Sequence, residues 1–313
     1  MTTIGTGAPR TDPAGHPTAG PPDITIAGLG MVAVRQITAE VQAALRRSNE
    51  ILYLDHGFGI QRYLAELCPR VTDLYPIGYR DNEPRLEAYD RMSTAVLQAA
   101  LDHPPVTLAI YGHPRVYVYP TTQITAAAPL LDLRVEILPG ISSLDTMFLD
   151  LGLDPGLEGL QLYEATDLLV RERPLQPDVP CLLWQVGAVG SSLYSRSPNQ
   201  PARFEELQRY LLRYYPAEHE VRAVHSSGHP LVPSEIVDFP LSELPDGLCR
   251  ASPVATLYLP PTGQRPVRNA HLSGRLESLA HLRRITGNGS QAITASTSPE
   301  ASTLEPAPAP RPG

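Results

Sequence analysis

Apolar residues along this chain follow two rhythms. Short aliphatic and β-branched runs at 24–27, 51–54, 71–75, 106–111 and 135–138 are cut off by Gly, Pro or Asp and read as buried strands. Between them, apolar positions recur at helical spacing: Ile37, Val41 and Leu45 with Thr38 as the cap, then 60–67, then 85–101 through Leu86, Tyr89, Met92, Val96 and Leu97. Further helices are expected at 122–131 and 144–151. Strand and helix alternation of this kind predicts an α/β fold. The second half has wider spacing, with strands at 160–164, 181–186, 220–224 and 256–259 and helices at 165–172 and 202–214. Two prolines, Pro260 and Pro261, close the last strand, which fits an edge position.

The ends of the chain lack these rhythms. Residues 1–22 and 287–313 are rich in Gly, Pro, Ala, Ser and Thr and are expected to be a disordered arm and tail. The expected organisation is therefore an N-terminal α/β domain at 23–137, a C-terminal α/β domain at 138–262 and a short helical extension at 263–286.

Composition narrows the chemistry. With 313 residues and 42% hydrophobic content the chain can bury two packed units, and a formal charge of -8 argues against a nucleic-acid binder. All 25 basic residues are arginine, which removes Schiff-base and P-loop lysine chemistry. Three cysteines, Cys68, Cys181 and Cys249, have no metal-ligand spacing and read as reduced, mostly buried thiols. No run reaches membrane-spanning length and the start lacks a signal-peptide core, so a cytoplasmic protein is expected, with no metal.

Four features could carry function. At 106–121 a buried strand ends at Tyr111 and runs into Gly112-His113-Pro114, and a loop at a strand's carboxyl end is where open α/β sheets place ligands. Gly28-Leu29-Gly30 with Ala33 and Asp55 spells a dinucleotide fingerprint, but helical periodicity starts only at Ile37, too late for a pyrophosphate-binding helix start. Arg85 and Tyr89, four apart on a helix, share a face. Ser142 and Ser143 open a helix, where hydroxyls suit either a polar ligand or simple capping.

Taken in order, Gly28-Leu29-Gly30, Tyr111-Gly112-His113-Pro114 and Pro139-Gly140-Ile141-Ser142-Ser143 resemble the tetrapyrrole methylase superfamily. Within it, Asp81-Asn82, Arg85-Leu86, Tyr89, Tyr163-Glu164-Ala165, Arg171-Glu172-Arg173-Pro174, Gln185-Val186-Gly187 and Tyr258-Leu259-Pro260-Pro261 are similar to the borosin-type peptide α-N-methyltransferases. Gly-His-Pro in place of the usual Gly-Asp-Pro favours that branch. The resemblance implies a two-domain class III methyltransferase architecture with S-adenosylmethionine in the interdomain cleft. It also implies a homodimer, by analogy.

By the same resemblance, Tyr75, Arg85, Tyr89 and Tyr111 stand at the acceptor amide. Gly112, His113, Val116, Val118, Ser142, Ser143, Val186, Ala255 and Thr256 stand at the cofactor. The loop before Arg85 differs from the family by one residue, which leaves Tyr79 unassigned. No Val/Ile/Leu-rich segment resembling a methylated core follows the catalytic region, so the expected acceptor is a separate precursor peptide. A tetrapyrrole or other small acceptor, or a catalytically silent peptide-binding scaffold, are the alternatives.

Overall fold

The computed structural model describes residues 21–286, and the expected disordered tail at 287–313 and most of the arm at 1–22 lie outside them. One compact unit ends at Gln264 and a second begins at Arg265. The first unit holds two five-stranded sheets. In chain order β1 (Ile24–Gly28), β2 (Glu50–Leu54), β3 (Val71–Asp73), β4 (Val106–Ile110) and β5 (Val135–Leu138) form the first, all parallel, in the order β3-β2-β4-β1-β5. The second contains β6 (Gln161–Glu164), β7 (Cys181–Trp184), β8 (Glu220–His225), β9 (Glu235–Pro240) and β10 (Thr256–Leu259), in the order β6-β7-β10-β8-β9. There only β6 and β7 run parallel.

The first sheet is covered on both faces, which is why β1 and β4 read as apolar runs broken only by Thr25 and Thr107. Residues alternate along β1 and its continuation: Ile24 and Ile26 join a core with Met92, Val96 and Ile124, while Ala27 and Leu29 join one with Val41, Leu45, Ile60 and Leu64. Covering the sheet are α1 (Ala39–Arg47), α2 (Ile60–Leu67), α3 (Tyr75–Gly78, a single turn that adds Ile77), α4 (Arg85–Asp102) and α5 (Tyr119–Ala127). Thr38 caps α1 by accepting the Val41 N–H at 3.2 Å. The second sheet packs one face on a larger core built from Leu168, Phe204, Leu207, Leu211 and Leu244. Its other face meets α6 (Ser143–Leu151) through Met147, beside Leu182, Trp184, Val224 and Tyr258.

Several elements differ from expectation. β10 is central, between β7 and β8, because Pro260 and Pro261 fall just past its last paired residue and cost it no ladder bonds. β3 stops at Asp73, whose Oδ1 accepts the Tyr75 N–H at 2.9 Å and starts the α3 turn. The 202–214 helix shrinks to Glu205–Leu211 behind a 3-10 turn at Pro201–Arg203. The 122–131 helix instead starts at Tyr119, and Ala128–Leu131 is a 3-10 turn. Cys249 is exposed, while Cys68 and Cys181 are buried. In the second unit, Ala270–Ser273 and Leu279–Ile285 are short helices.

Three glycines hold the first sheet's strand ends together. A Cβ on Gly28 would lie 2.6 Å from the Gly112 carbonyl oxygen and 2.6 Å from the Gly140 amide nitrogen, and one on Gly140 would collide with the same Gly112 oxygen. Backbone meets backbone there, so nothing can give way. Gly28→Ala and Gly140→Ala are each expected to lower stability by about 1–3 kcal/mol, read as a fall in the urea unfolding midpoint.

Candidate active site

The parallel register aligns Gly28 with Ile110, and Leu54 with Ile110, so the loops after β1, β2 and β4 leave the sheet side by side. The Tyr111 N–H continues the β2 pairing by donating to the Leu54 carbonyl at 3.1 Å. Gly112, with φ +71, then turns back and pairs with Gly30 through both backbone bonds, 2.9 and 3.2 Å. An L side chain is strained at that φ.

The dinucleotide reading fails on hydrogen bonds. Gln36, in a 3-10 turn ahead of α1, accepts the N–H groups of Met31 and Val32 on Oε1 at 2.6 and 2.8 Å. The donors that would cradle a pyrophosphate after Gly30 are thus consumed by the chain itself.

The loop at 112–118 reaches the second sheet. Within it His113 Nδ1 accepts the Arg115 N–H at 3.1 Å, and Val118 packs on the first core. Tyr117, held at φ 56, lies 5.3 Å from Trp184 at the end of β7, ring centre to ring centre. Trp184 Nε1 donates to the Ser143 hydroxyl at 3.2 Å. Ser142 is claimed by capping: its N–H and hydroxyl both donate to Asp145 Oδ2, each at 2.7 Å. Val186 and Ala255 belong to the second core, so only their backbone can face a ligand, and Thr256 is buried. The two segments touch, since a Cβ on Gly187 would overlap the Pro253 carbonyl.

A run of aromatic rings extends from the β2 end to α4 and α5. His56 meets the Tyr75 ring at 4.5 Å, Tyr75 meets Tyr79 at 4.9 Å, Tyr79 lies 6.3 Å from Tyr89, and Tyr89 lies 5.9 Å from Tyr119. Tyr79, which the sequence left without a role, sits in the middle. Tyr194, which sequence reasoning did not select, joins by ring contact with Tyr79 at 4.7 Å and a 2.6 Å hydroxyl contact with Tyr75. Arg85 shares α4 with Tyr89, but its guanidinium donates to the Ser191 carbonyl.

Burial sets the protonation of this wall. The Tyr75 hydroxyl is pushed up to about 12, with desolvation by burial as the largest cause. Tyr111 is pushed up to about 12 by desolvation and then by the charge of Asp55, and burial drives Tyr79 higher still. These three phenols remain protonated near neutral pH and are hydrogen-bond donors there. Asp55 is itself raised by burial: Oδ1 accepts the Gly57 N–H at 2.6 Å, while Oδ2 is buried without a partner. Thr121 Oγ1, in the first turn of α5, is likewise buried and unpartnered.

Residues 23–245 match the tetrapyrrole (corrin/porphyrin) methylases. The chain belongs to that family. Among curated relatives, this chain is 31% identical over 240 residues to the methyltransferase/ribosomally synthesized gymnopeptide precursor of Gymnopus fusipes, covering 76% of this chain and 57% of the relative. It is 32% identical to a type I borosin cyclic peptide precursor of Serendipita vermifera subsp. bescii, covering 79% and 60%. It is also 29% identical to the omphalotin A precursor of Omphalotus olearius, covering 82% and 61%. The chain thus spans little more than half the length of these relatives. Its fold is that of uroporphyrin-III C-methyltransferase from Thermus thermophilus, with a TM-score of 0.54 at 15% identity, covering 76% of this chain and 91% of that one. Diphthine synthase matches with a TM-score of 0.54 at 16% identity, covering 77% and 91%. Among the described residues no cluster of three or more His, Cys, Asp or Glu side chains is placed to hold a metal ion, and no helix is long and apolar enough to cross a membrane.

Asp55 supplies a test of the electrostatics. Its folded pKa is raised, so its contribution to stability is greatest below the unfolded value and is lost as pH rises through the unfolded and then the folded pKa. Asp55→Asn is therefore expected to raise the urea midpoint at pH 7 relative to the parent and to lose that advantage at pH 3.

Proposed function

We propose that this chain is an S-adenosylmethionine-dependent methyltransferase that N-methylates backbone amides of a separate precursor peptide, in the manner of borosin biosynthesis, and works as a homodimer. The observation that carries the reading is the tyrosine wall beside the glycine-paired loops of a methylase whose relatives at about 30% identity are named as peptide-precursor methyltransferases. A tetrapyrrole acceptor is the second reading, favoured by the family's own name.

The residues present suit such a cofactor. A Cβ on Gly112 would find its nearest atom, the Met31 sulfur, at 3.7 Å, so this loop leaves room beside its backbone. Asp55 Oδ2 and Thr121 Oγ1 offer unsatisfied polar atoms, and aromatic faces suit a sulfonium cation. Gly112, His113, Val116 and Val118 would hold it from one side and Ser142 and Ser143 from another, with the backbone of Val186, Ala255 and Thr256 completing the contact. When bound, the group supplies an activated methyl that an amide nitrogen attacks.

An amide is a poor nucleophile until its N–H is lost or its oxygen carries charge. Tyr75 and Tyr111, protonated, donate to and orient the amide oxygen. Tyr89, assisted by the positive charge of Arg85, serves deprotonation or stabilises the imidate-like oxygen. Positioning from several elements at once lowers the entropic part of the barrier.

Given methyl-labelled S-adenosylmethionine and the product of a neighbouring small gene with a hydrophobic carboxyl end, the chain is expected to add mass to the peptide in steps of one methyl group. Arg85→Ala and Tyr89→Phe should each slow transfer by ~10²-fold or more, with S-adenosylhomocysteine affinity by calorimetry little changed. Methylation of a uroporphyrinogen-type ring, with no mass added to the peptide, would move the assignment to the second reading.

A further inference from the structure

Tyr194 reaches the wall from the second sheet. Beyond β7, the chain at 191–196 returns alongside 81–85, and Pro84 and Leu193 form an antiparallel bridge. The Asn82 N–H donates to the Tyr194 carbonyl at 2.8 Å, the Tyr194 N–H to the Glu83 carbonyl at 2.9 Å, and the Arg85 N–H to the Ser192 carbonyl at 2.9 Å. The Arg196 N–H adds a bond to Asp81 Oδ1 at 2.8 Å, and the Arg85 guanidinium closes the set on the Ser191 carbonyl. This ribbon fixes the backbone of Tyr194 on both sides. Its ring lies against Tyr79 at 4.7 Å with planes 31° apart, and its hydroxyl meets that of Tyr75 at 2.6 Å.

We propose that Tyr194 is a positioning residue: delivered by the 191–196 ribbon, its hydroxyl fixes the Tyr75 hydroxyl and completes the acceptor-facing wall from the second sheet. The inference rests on the reading of Tyr75 given above, as a donor that orients the acceptor amide. Ring packing on Tyr79 would be served equally by phenylalanine, so the hydroxyl's contact with Tyr75 is what phenylalanine would remove. When Tyr194 donates to Tyr75, the Tyr75 proton is left free to point at an acceptor, and the linked pair polarises that donor. The other groups around Tyr75 are the edge of His56, the Tyr79 ring, Asp73 on its backbone N–H, and the Arg196 charge, which opposes the upward push on its phenol.

The test uses the full chain with a difluorotyrosine at position 75, whose phenol ionises at lower pH than tyrosine, and follows its fluorine resonance against pH. Tyr194→Phe is expected to raise the midpoint by about 0.5–1 pH unit, the scale of one lost hydrogen bond, because the Tyr75 phenolate loses the hydroxyl that donates to it. An unchanged or lowered midpoint overturns the proposal. In peptide methylation, Tyr194→Phe should slow transfer, and adding it to Tyr75→Phe should slow it no further. Independent, multiplying effects would assign Tyr194 a role outside Tyr75 and also overturn the proposal. If the parent chain methylates no peptide, the proposed acceptor is wrong, while the fluorine titration still decides whether Tyr194 sets Tyr75.

Discussion

Everything at this site hangs on the contact of three backbones, at Gly28, Gly112 and Gly140. Parallel strands standing side by side deliver their following loops to one edge, but side chains would normally keep those loops apart. Here the absence of Cβ atoms lets the carbonyl of Gly112 sit against both neighbours. That contact fixes the reversal that pairs Gly112 with Gly30 and sets the direction in which Tyr111 leaves the sheet on one side and His113 on the other. A loop reaching toward the second sheet can then be long and still well placed, because its root does not move.

A second constraint is electrical. The tyrosines gathered beside that root are pushed toward their neutral forms by burial, and a carboxylate at the β2 end reinforces this at Tyr111. Near neutral pH such a wall holds proton donors at fixed places without placing full charges among them. That environment suits a reaction in which negative charge appears on an amide oxygen, since donors held in a poorly solvated setting act more strongly than in water. With no lysine in the chain, positive charge near the wall comes from arginines held by carbonyls and carboxylates, as Arg85 is by Ser191 and Arg91 by Gly78 and Glu83.

Much of the fold was legible because burial on both faces leaves a plain mark. β1, β2 and β4 are apolar through their buried stretches but for Thr25 and Thr107, and α1 and α2 announce themselves by cap or stripe. The elements that escaped notice lack such marks. β9 is a sheet edge whose residues are mostly exposed apart from Phe239, and the helix Leu244–Arg250 contains Pro245 and Gly247, the latter small because the Phe239 ring lies against it. The two prolines that close β10 suggest an edge, yet they follow its last paired residue, and a central strand tolerates them there. Around the site, the family resemblance points to residues on the first sheet's own loops. Tyr194 had no such signal: it belongs to no motif and meets Tyr75 across 119 residues of sequence, through a ribbon that only folding assembles.

The chain's one tryptophan, Trp184, stands at the join between the sheets, with Tyr117 against its ring and Ser143 on its indole nitrogen. Tyr117 is rooted in the first sheet and Trp184 in the second. The protein therefore carries an intrinsic optical gauge: any movement that separates the two sheets changes the polarity and hydrogen bonding around a single indole, and the emission of the whole molecule reports it.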